Sequence, residues 1–363
     1  MDVKDFRHFP AQLPSALLAW YDSQHRRLPW RGTKDPYAIW ISEIMLQQTK
    51  VETVIPYYRR FLERFATVQA LASAPLTEVL KIWENLGYYS RARNLHKAAG
   101  LIATLFAGRI PDHWEELIRL PGIGKYTAGA ILSIAFGQAM PAVDGNVRRV
   151  ISRLYAMEES IDDPPGQEKV ESLVRTLLPG QDPGRFNQAM MELGALLCIP
   201  KKPSCPGCPL GDLCRAHALG RAEQFPVRRK RRAIPHKEVV AAIIRNKKGH
   251  ILIVQRPANG LLGSLWKFPG GVLDPGETPA DGLRRSISEE MGIEIDAGPR
   301  LAVVRHAYTH FRITLSSYAC ILLKGTPATM EGRAWRWATI RQLDELPFSK
   351  ADRMIARMAI PSG

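Results

Sequence analysis

Four cysteines, Cys198, Cys205, Cys208 and Cys214, fall in the spacing C-x6-C-x2-C-x5-C just after an apolar helical stretch. Structural zinc sites usually draw on two close thiol pairs set well apart. Here there is one close pair and two single flanking thiols. Four thiolates around a compact loop suit an iron–sulfur cube better, with zinc as the alternative. Lys201 and Lys202, inside the first interval, would turn positive charge toward a phosphate backbone, and Cys320, far away in a strand-like run, reads as core. A second feature is Leu120-Pro121-Gly122-Ile123-Gly124-Lys125-Tyr126, followed by Val143-Asp144-Gly145-Asn146. Gly122 and Gly124 let backbone approach a ligand at φ values other residues avoid. A helix starting at about Lys125 presents free N–H groups and a positive dipole end, which suits a phosphate. Asp144, in a Gly-Asn turn, can face a cleft. On these residues alone, an ordinary helix-turn-helix corner with a turn aspartate is an equally good account.

The elements that must hold these groups change character along the chain. Residues 1–219 read as almost wholly helical, with apolar positions at helical spacing from Leu13–Tyr21 through Phe186–Leu197. Asp35-Pro36 is an N-cap with proline at the first helical position, and Asp112 with Glu115 is a capping box. Residues 220–236 are a basic linker containing Arg228-Arg229-Lys230-Arg231-Arg232. Such a run is either a solvated tether or a contact along a nucleic-acid backbone. From 237 to 358 the period changes: Val239–Arg245, His250–Gln255, Leu301–His306 and Arg312–Leu323 look like strands, with helices at Pro279–Met291 and Ser349–Ala359. The fold class is therefore multidomain, an all-α domain followed by an α+β domain.

The chain of 363 residues carries a net charge of +15, which points to a polyanionic partner, nucleic acid before an anionic membrane surface. The start, Met1-Asp2-Val3-Lys4-Asp5, has no signal pattern, and no apolar run approaches a membrane span. A reducing, cytosolic location follows, which favours metal over disulfides for the clustered thiols.

The hairpin, the aspartate turn and the cysteine loop, in this order, resemble the endonuclease III superfamily of helix-hairpin-helix DNA glycosylases. Within it the resemblance is to the adenine DNA glycosylase (MutY) family and extends over nearly the whole chain. Tyr126 stands where endonuclease III has its Schiff-base lysine, so the resemblance implies a monofunctional glycosylase without strong lyase activity. Lys125 would point about 100° away around the helix. Ile39–Thr49 resembles the family's acid helix, with Glu43 as general acid and Gln47 and Gln48 as intercalating residues. The resemblance implies a [4Fe–4S] cluster on the four cysteines, Tyr88 as a further wedge, Arg31 lining the base pocket, and Asn146 and Tyr126 positioning the acids.

Residue chemistry fits that implication. Adenine is a poor leaving group as an anion, so its departure needs a proton. Glu43 has apolar neighbours on nearly every side of its helix, and desolvation raises a carboxyl pKa. Ionised Asp144 would steady the cationic sugar or bond to it transiently, as the second carboxylate does in retaining glycosidases. The base must first leave the duplex, at a cost that is smaller at a mismatch.

Gly271-x5-Glu277-x7-Arg285-Ser286-Ile287-Ser288-Glu289-Glu290-Met291-Gly292-Ile293 is close to the Nudix box, with Ser286 where the box has glutamate. The missing carboxylate implies a fold signature without pyrophosphatase activity. Tyr308-Thr309-His310 aligns with the loop that MutY proteins place beside 8-oxoguanine. The implied activity is excision of adenine opposite 8-oxoguanine, or guanine, from duplex DNA by a monomer in the bacterial cytosol, associated with the nucleoid. The rivals are a Nudix hydrolase of oxidised nucleotides with a DNA-targeting domain, and an inert DNA-binding module.

Overall fold

The computed structural model describes residues 9–229, 234–308, 310–329 and 333–360. Thr309 and the Lys230–Arg232 part of the basic run lie outside the described residues. The chain divides into two compact units, Met1–Ser73 with Lys97–Arg231, and Ala74–His96 with Arg232–Gly363. The boundaries expected from sequence, 1–219 and 237–358, do not separate residues 74–96 from the helical part; in the fold this segment packs with the C-terminal residues. The reason lies in its side chains: Glu84 and Tyr89 bond to Arg353 and Phe348. No helix among the described residues is long and apolar enough to cross a membrane.

The first unit is helical. Asp35 caps the helix Pro36–Leu46 as expected, accepting from the N–H groups of Tyr37 and Ala38. That helix is buried from Tyr37 to Met45, because its side chains are apolar on all sides, and it packs against the helix Lys125–Phe136. The capping box at Asp112 does not form. His113 is the N-cap of the short helix Trp114–Leu117 and makes no side-chain capping bond. A core of Leu13, Leu17, Val147, Ile151, Val170, Phe186 and Leu193 joins the helices Phe9–Gln24, Gly145–Leu154, Pro164–Leu177 and Pro183–Leu196. These last helices carry Asp144 at one start and the cysteine loop at the other end.

The second unit contains the four strands expected, as His236–Ile244, Ile251–Gln255, Glu294–Ala307 and Arg312–Lys324, and the two helices as Pro279–Met291 and Lys350–Ala359. His236–Ile244 runs parallel to Arg312–Lys324, which pairs antiparallel with Glu294–Ala307. Ile251–Gln255 pairs with two short strands that the sequence reading did not mark, Trp266–Lys267 and Trp335–Ala338. Both are too short to show a period of two. The Asn246–Gly249 turn forms, with the Asn246 N–H donating to His250 O at 3.0 Å. Apolar clusters cover both faces of the sheets, so they are buried on either side.

Glycines set the approach of the site-bearing segments in the first unit. A Cβ at Gly129 would lie 2.1 Å from the backbone oxygen of Pro141, and one at Gly194 would lie 2.6 Å from Asn146 Cβ. Both contacts hold the strand-like run 141–144 and the turn after it. Overpacking against backbone costs about 1–3 kcal/mol. Gly129→Ala should therefore lower unfolding stability by that amount in urea titration, and a variant as stable as the parent would show that the Pro141 run can yield.

Candidate active site

Glu43, Tyr126, Asp144 and Asn146 line one cleft of about 1100 Å³ in the first unit. Glu43 sits three residues before the end of its apolar helix and is only 5% exposed. Burial drives its carboxyl up to about 7, helped by the charge of Asp144 and opposed by a hydrogen bond from Tyr126. The Tyr126 hydroxyl donates that short bond to Glu43 Oε2, and it lies 3.1 Å from Met191 Sδ. Burial and the two nearby carboxylates raise the phenol well above its ordinary value, so it stays a donor. With one carboxyl oxygen engaged by the phenol, the other is left to carry the acid proton.

Asp144 meets a different environment. It is the N-cap of the helix Gly145–Leu154, and its side chain accepts from Val147 N–H at 2.7 Å and from Asn146 Nδ2 at 2.9 Å. Burial raises its carboxyl, while those two donors and Arg149 pull it back. Arg149 Nη2 in turn donates to Asn146 Oδ1 at 2.8 Å and to Gly194 O at 2.8 Å. Thus one carboxyl sees a single neutral donor, and the other sees N–H dipoles at a helix start. Two carboxyls in such unlike surroundings are chemically distinct groups.

Gln47 and Gln48 lie where the acid helix ends, and both line the cleft. Gln47 Nε2 donates to Thr127 Oγ1 at 3.3 Å, and Gln48 adopts a left-handed φ of 56°. Gly122, at φ 81°, needs its missing side chain; Gly124, at φ −97°, has backbone that any residue adopts. Gly124 caps the helix Lys125–Phe136 without a side-chain bond, which leaves its first N–H groups available. Lys125 also lines the cleft; it is exposed and lies 3.7 Å from Glu171.

Arg31 also lines the cleft, but it is not alone. Its Nη1 and Nη2 donate to Glu192 at 2.9 and 2.6 Å, and Arg26 donates to the same carboxylate through its backbone N–H, Nε and Nη2. Burial alone would push Glu192 up; the two arginines hold it down at about 2. The sequence reading did not single out Glu192, Arg26, Gln188, Trp30 or Arg149. Gln188 and Glu192 share a helix face at i, i+4, which was the one available signal, and it does not by itself tell a cleft from a core.

Tyr88 belongs to the other unit, in the turn between Leu76–Ile82 and Ser90–Leu105, and is 39% exposed. Tyr308 is half-buried, packed against Phe311 at 5.0 Å and His306 at 4.7 Å, and lines a cavity of about 210 Å³ with Lys267 and Asp352. His310 is exposed.

The four cysteines enclose one loop. Arg153 Nη1 lies 3.3 Å from Cys198 Sγ, and Cys214 Sγ donates to Arg153 O at 3.5 Å. Burial, then the charges of Cys198, Cys214 and Cys205, push the Cys208 thiol up to about 11. The thiols stand near enough to influence one another, and with Arg153 beside Cys198 the chemistry of the donor set fits a group that takes four thiolates. Among the described residues, no three His, Cys, Asp or Glu side chains already stand at metal-binding geometry. On the helix Pro279–Met291, Glu290 is 2.8 Å from Lys267 Nζ and 3.0 Å from Arg333, and Ser286 is buried; Glu277, just before the helix, is paired with Arg285. Two of the box's acids are thus tied up by cations, and a third is absent.

Glu192 gives a direct test of this wall of the cleft. Its pKa is depressed on folding, so its contribution to stability is present above about pH 4.5 and is lost as pH falls toward 2. Acid unfolding of Glu192→Gln should lack that limb and begin from a less stable protein at pH 7. Superimposable acid titrations of the two proteins would remove the carboxylate from this role.

Residues 41–179 match the HhH-GPD superfamily of base excision DNA repair proteins, and residues 240–358 match the NUDIX domain family. The chain is 36% identical to a human adenine DNA glycosylase over 94% of its own length and 73% of the relative's. It is also 36% identical to the mouse adenine DNA glycosylase, covering 98% of this chain and 79% of that one. Among solved structures, a thermostable thymine-DNA glycosylase superposes with a TM-score of 0.54 at 30% identity, over 58% of this chain and 97% of that one. With a cleft of this composition and relatives of this identity along nearly its whole length, the chain belongs to the adenine DNA glycosylase family of base excision repair enzymes.

Proposed function

We propose that this enzyme hydrolyses the N-glycosidic bond of adenine mispaired with 8-oxoguanine, or with guanine, in duplex DNA. The observation that carries the reading is the pairing of a buried, phenol-bonded Glu43 with a helix-capped Asp144 in one cleft. Glu43, neutral up to about pH 7, donates its proton to the adenine ring as the bond to the sugar breaks. Positive charge then grows on the sugar. Asp144, held by Val147 N–H and Asn146, steadies that charge or bonds to it transiently. Water completes the hydrolysis, with Glu43 returning as base. Tyr126 cannot form an imine, so an abasic site is left in an intact backbone, without lyase chemistry.

Gln47, Gln48 and Tyr88 fill the gap left by the extruded base, and the start of the helix at Lys125 takes a phosphate. Arg31, fixed by Glu192, faces the base. Tyr308, Thr309 and His310 read the oxidised base opposite. Cys198, Cys205, Cys208 and Cys214 hold a [4Fe–4S] cluster, which keeps their loop and Lys201 and Lys202 in place for the backbone. The enzyme acts as a monomer in a reducing cytosol. Against the Nudix-hydrolase reading stand Ser286 and the occupation of Glu290 by Lys267 and Arg333. Domains follow the same division of labour, a glycosylase domain over 1–219 and a lesion-reading domain over 237–358, with segment 74–96 lent to the second.

Single-turnover adenine release from an A:8-oxoguanine duplex tests the acid. The rate should fall tenfold per pH unit above about pH 7, as Glu43 ionises; a flat profile to pH 9 would remove Glu43 from the role. Glu43→Gln should bind the duplex with release slowed at least ~10²-fold. Tyr126→Lys should allow trapping of an imine by borohydride on a duplex that already carries an abasic site, and failure to trap there would contradict the geometry assigned to the hairpin.

A further inference from the structure

The turn that carries Tyr88 is bent and held. Asn85, Gly87 and Tyr88 adopt left-handed φ values of 74°, 79° and 48°. For a residue with a side chain this conformation costs about 1 kcal/mol or more, so neighbouring contacts must impose it. Trp83, fully buried, donates from Nε1 to Gly87 O at 3.1 Å, and Arg91 Nη2 donates to the same oxygen at 3.1 Å. The Tyr89 hydroxyl accepts from Asn85 N–H at 3.1 Å and donates to Phe348 O at 3.3 Å.

Beneath the turn lies an ion pair. Glu84 and Arg353 are 10% and 7% exposed, with Arg353 Nε at 2.9 Å and Nη2 at 2.7 Å from Glu84 Oε1. The remaining guanidinium hydrogens go to Leu343 O and Leu346 O, both at 2.6 Å, and the plane rests on the Phe348 ring. Phe348 N–H and Lys81 Nζ complete the Glu84 carboxylate. A lysine at 353 could not make these contacts, having one nitrogen where the site needs a planar fork.

The same stretch reaches Tyr308. Arg353 lies in the first turn of the helix Lys350–Ala359, and Asp352 of the same turn lines one cavity with Tyr308. Ile355, Ala356 and Phe348 share the core on which Tyr308 packs. The turn bearing Tyr88 and the loop bearing Tyr308 are thus both fastened to residues 348–353, within one compact unit.

We propose that Arg353 is a positioning residue for Tyr88, holding through Glu84 the bent turn that presents the wedge, so that the segment on which Tyr308 packs also sets the wedge. This rests on the wedge reading of Tyr88 given above. Arg353 lines neither the cleft of Glu43 nor the cavity of Tyr308, and acts on base release through the Tyr88 turn that it holds.

The test is a double-mutant cycle in the full-length protein. Parent, Arg353→Lys, Tyr88→Ala and the double variant are compared for single-turnover adenine release and for the fluorescence of 2-aminopurine placed beside the mispair, which rises when the stack opens. Arg353→Lys should slow release roughly tenfold and reduce the fluorescence rise, within the coupling seen for residues in one network. In the Tyr88→Ala background it should have no further effect. If Tyr88→Ala opens and cleaves the duplex like the parent, the wedge reading falls and the proposal with it. If Tyr88→Ala is impaired while Arg353→Lys is not, or the two effects multiply, only the positioning role is overturned. Should Arg353→Lys fail to melt cooperatively, Glu84→Gln replaces it in the same cycle under the same criteria.

Discussion

The account depends on keeping one carboxyl group away from water. The Glu43 carboxyl is raised to about 7 because the helix around it is apolar and buried, and the neighbouring helix supplies a phenol in place of a cation. An arginine or lysine at 126 would lower the Glu43 carboxyl and destroy its use as an acid at neutral pH. Everything else in the first unit serves that arrangement. Small residues let the helices close on the site, and Arg149 holds Asn146 against Asp144 from outside the cleft.

Charge is handled in a contrasting way on the cleft wall. Glu192 is as buried as Glu43, yet two arginines donate to it and it is ionised. Two glutamates, both almost without exposure, are moved in opposite directions, Glu43 up to about 7 and Glu192 down to about 2, because their partners differ. The second unit handles charge in the same way, its Glu290 being matched to Lys267 and Arg333.

Much of this was legible in the residues. The unbroken apolar character of Tyr37–Met45 announced a buried helix, and with it a desolvated Glu43. The Asp35-Pro36 cap and the long strands of the second unit were equally plain, because their periods run for several repeats. What stayed hidden depends on contacts distant in sequence. Residues 74–96 read as helical and therefore seemed to belong with the helices before and after them; only the pairing of Glu84 with Arg353, 269 residues on, assigns them elsewhere. The helix expected over Val79–Leu86 stops at Ile82 because three left-handed residues follow. Glu192 could not be told from a surface glutamate, since nothing local reports two arginines arriving from residues 26 and 31. The capping box at Asp112 failed for the opposite reason: a local signal was present, but the chain gave the cap position to His113.

The central claim is a protonation state, and it can be measured without DNA or turnover. The full-length protein labelled with ¹³C at glutamate Cδ, compared with Glu43→Gln to assign the resonance, would be titrated by NMR. The account expects one glutamate carboxyl, absent from the variant, to titrate near pH 7 while the bulk titrates in the ordinary carboxylate range. A Glu43 resonance that moves with the others, at about pH 4 to 5, would mean that the cleft holds two anions and no acid.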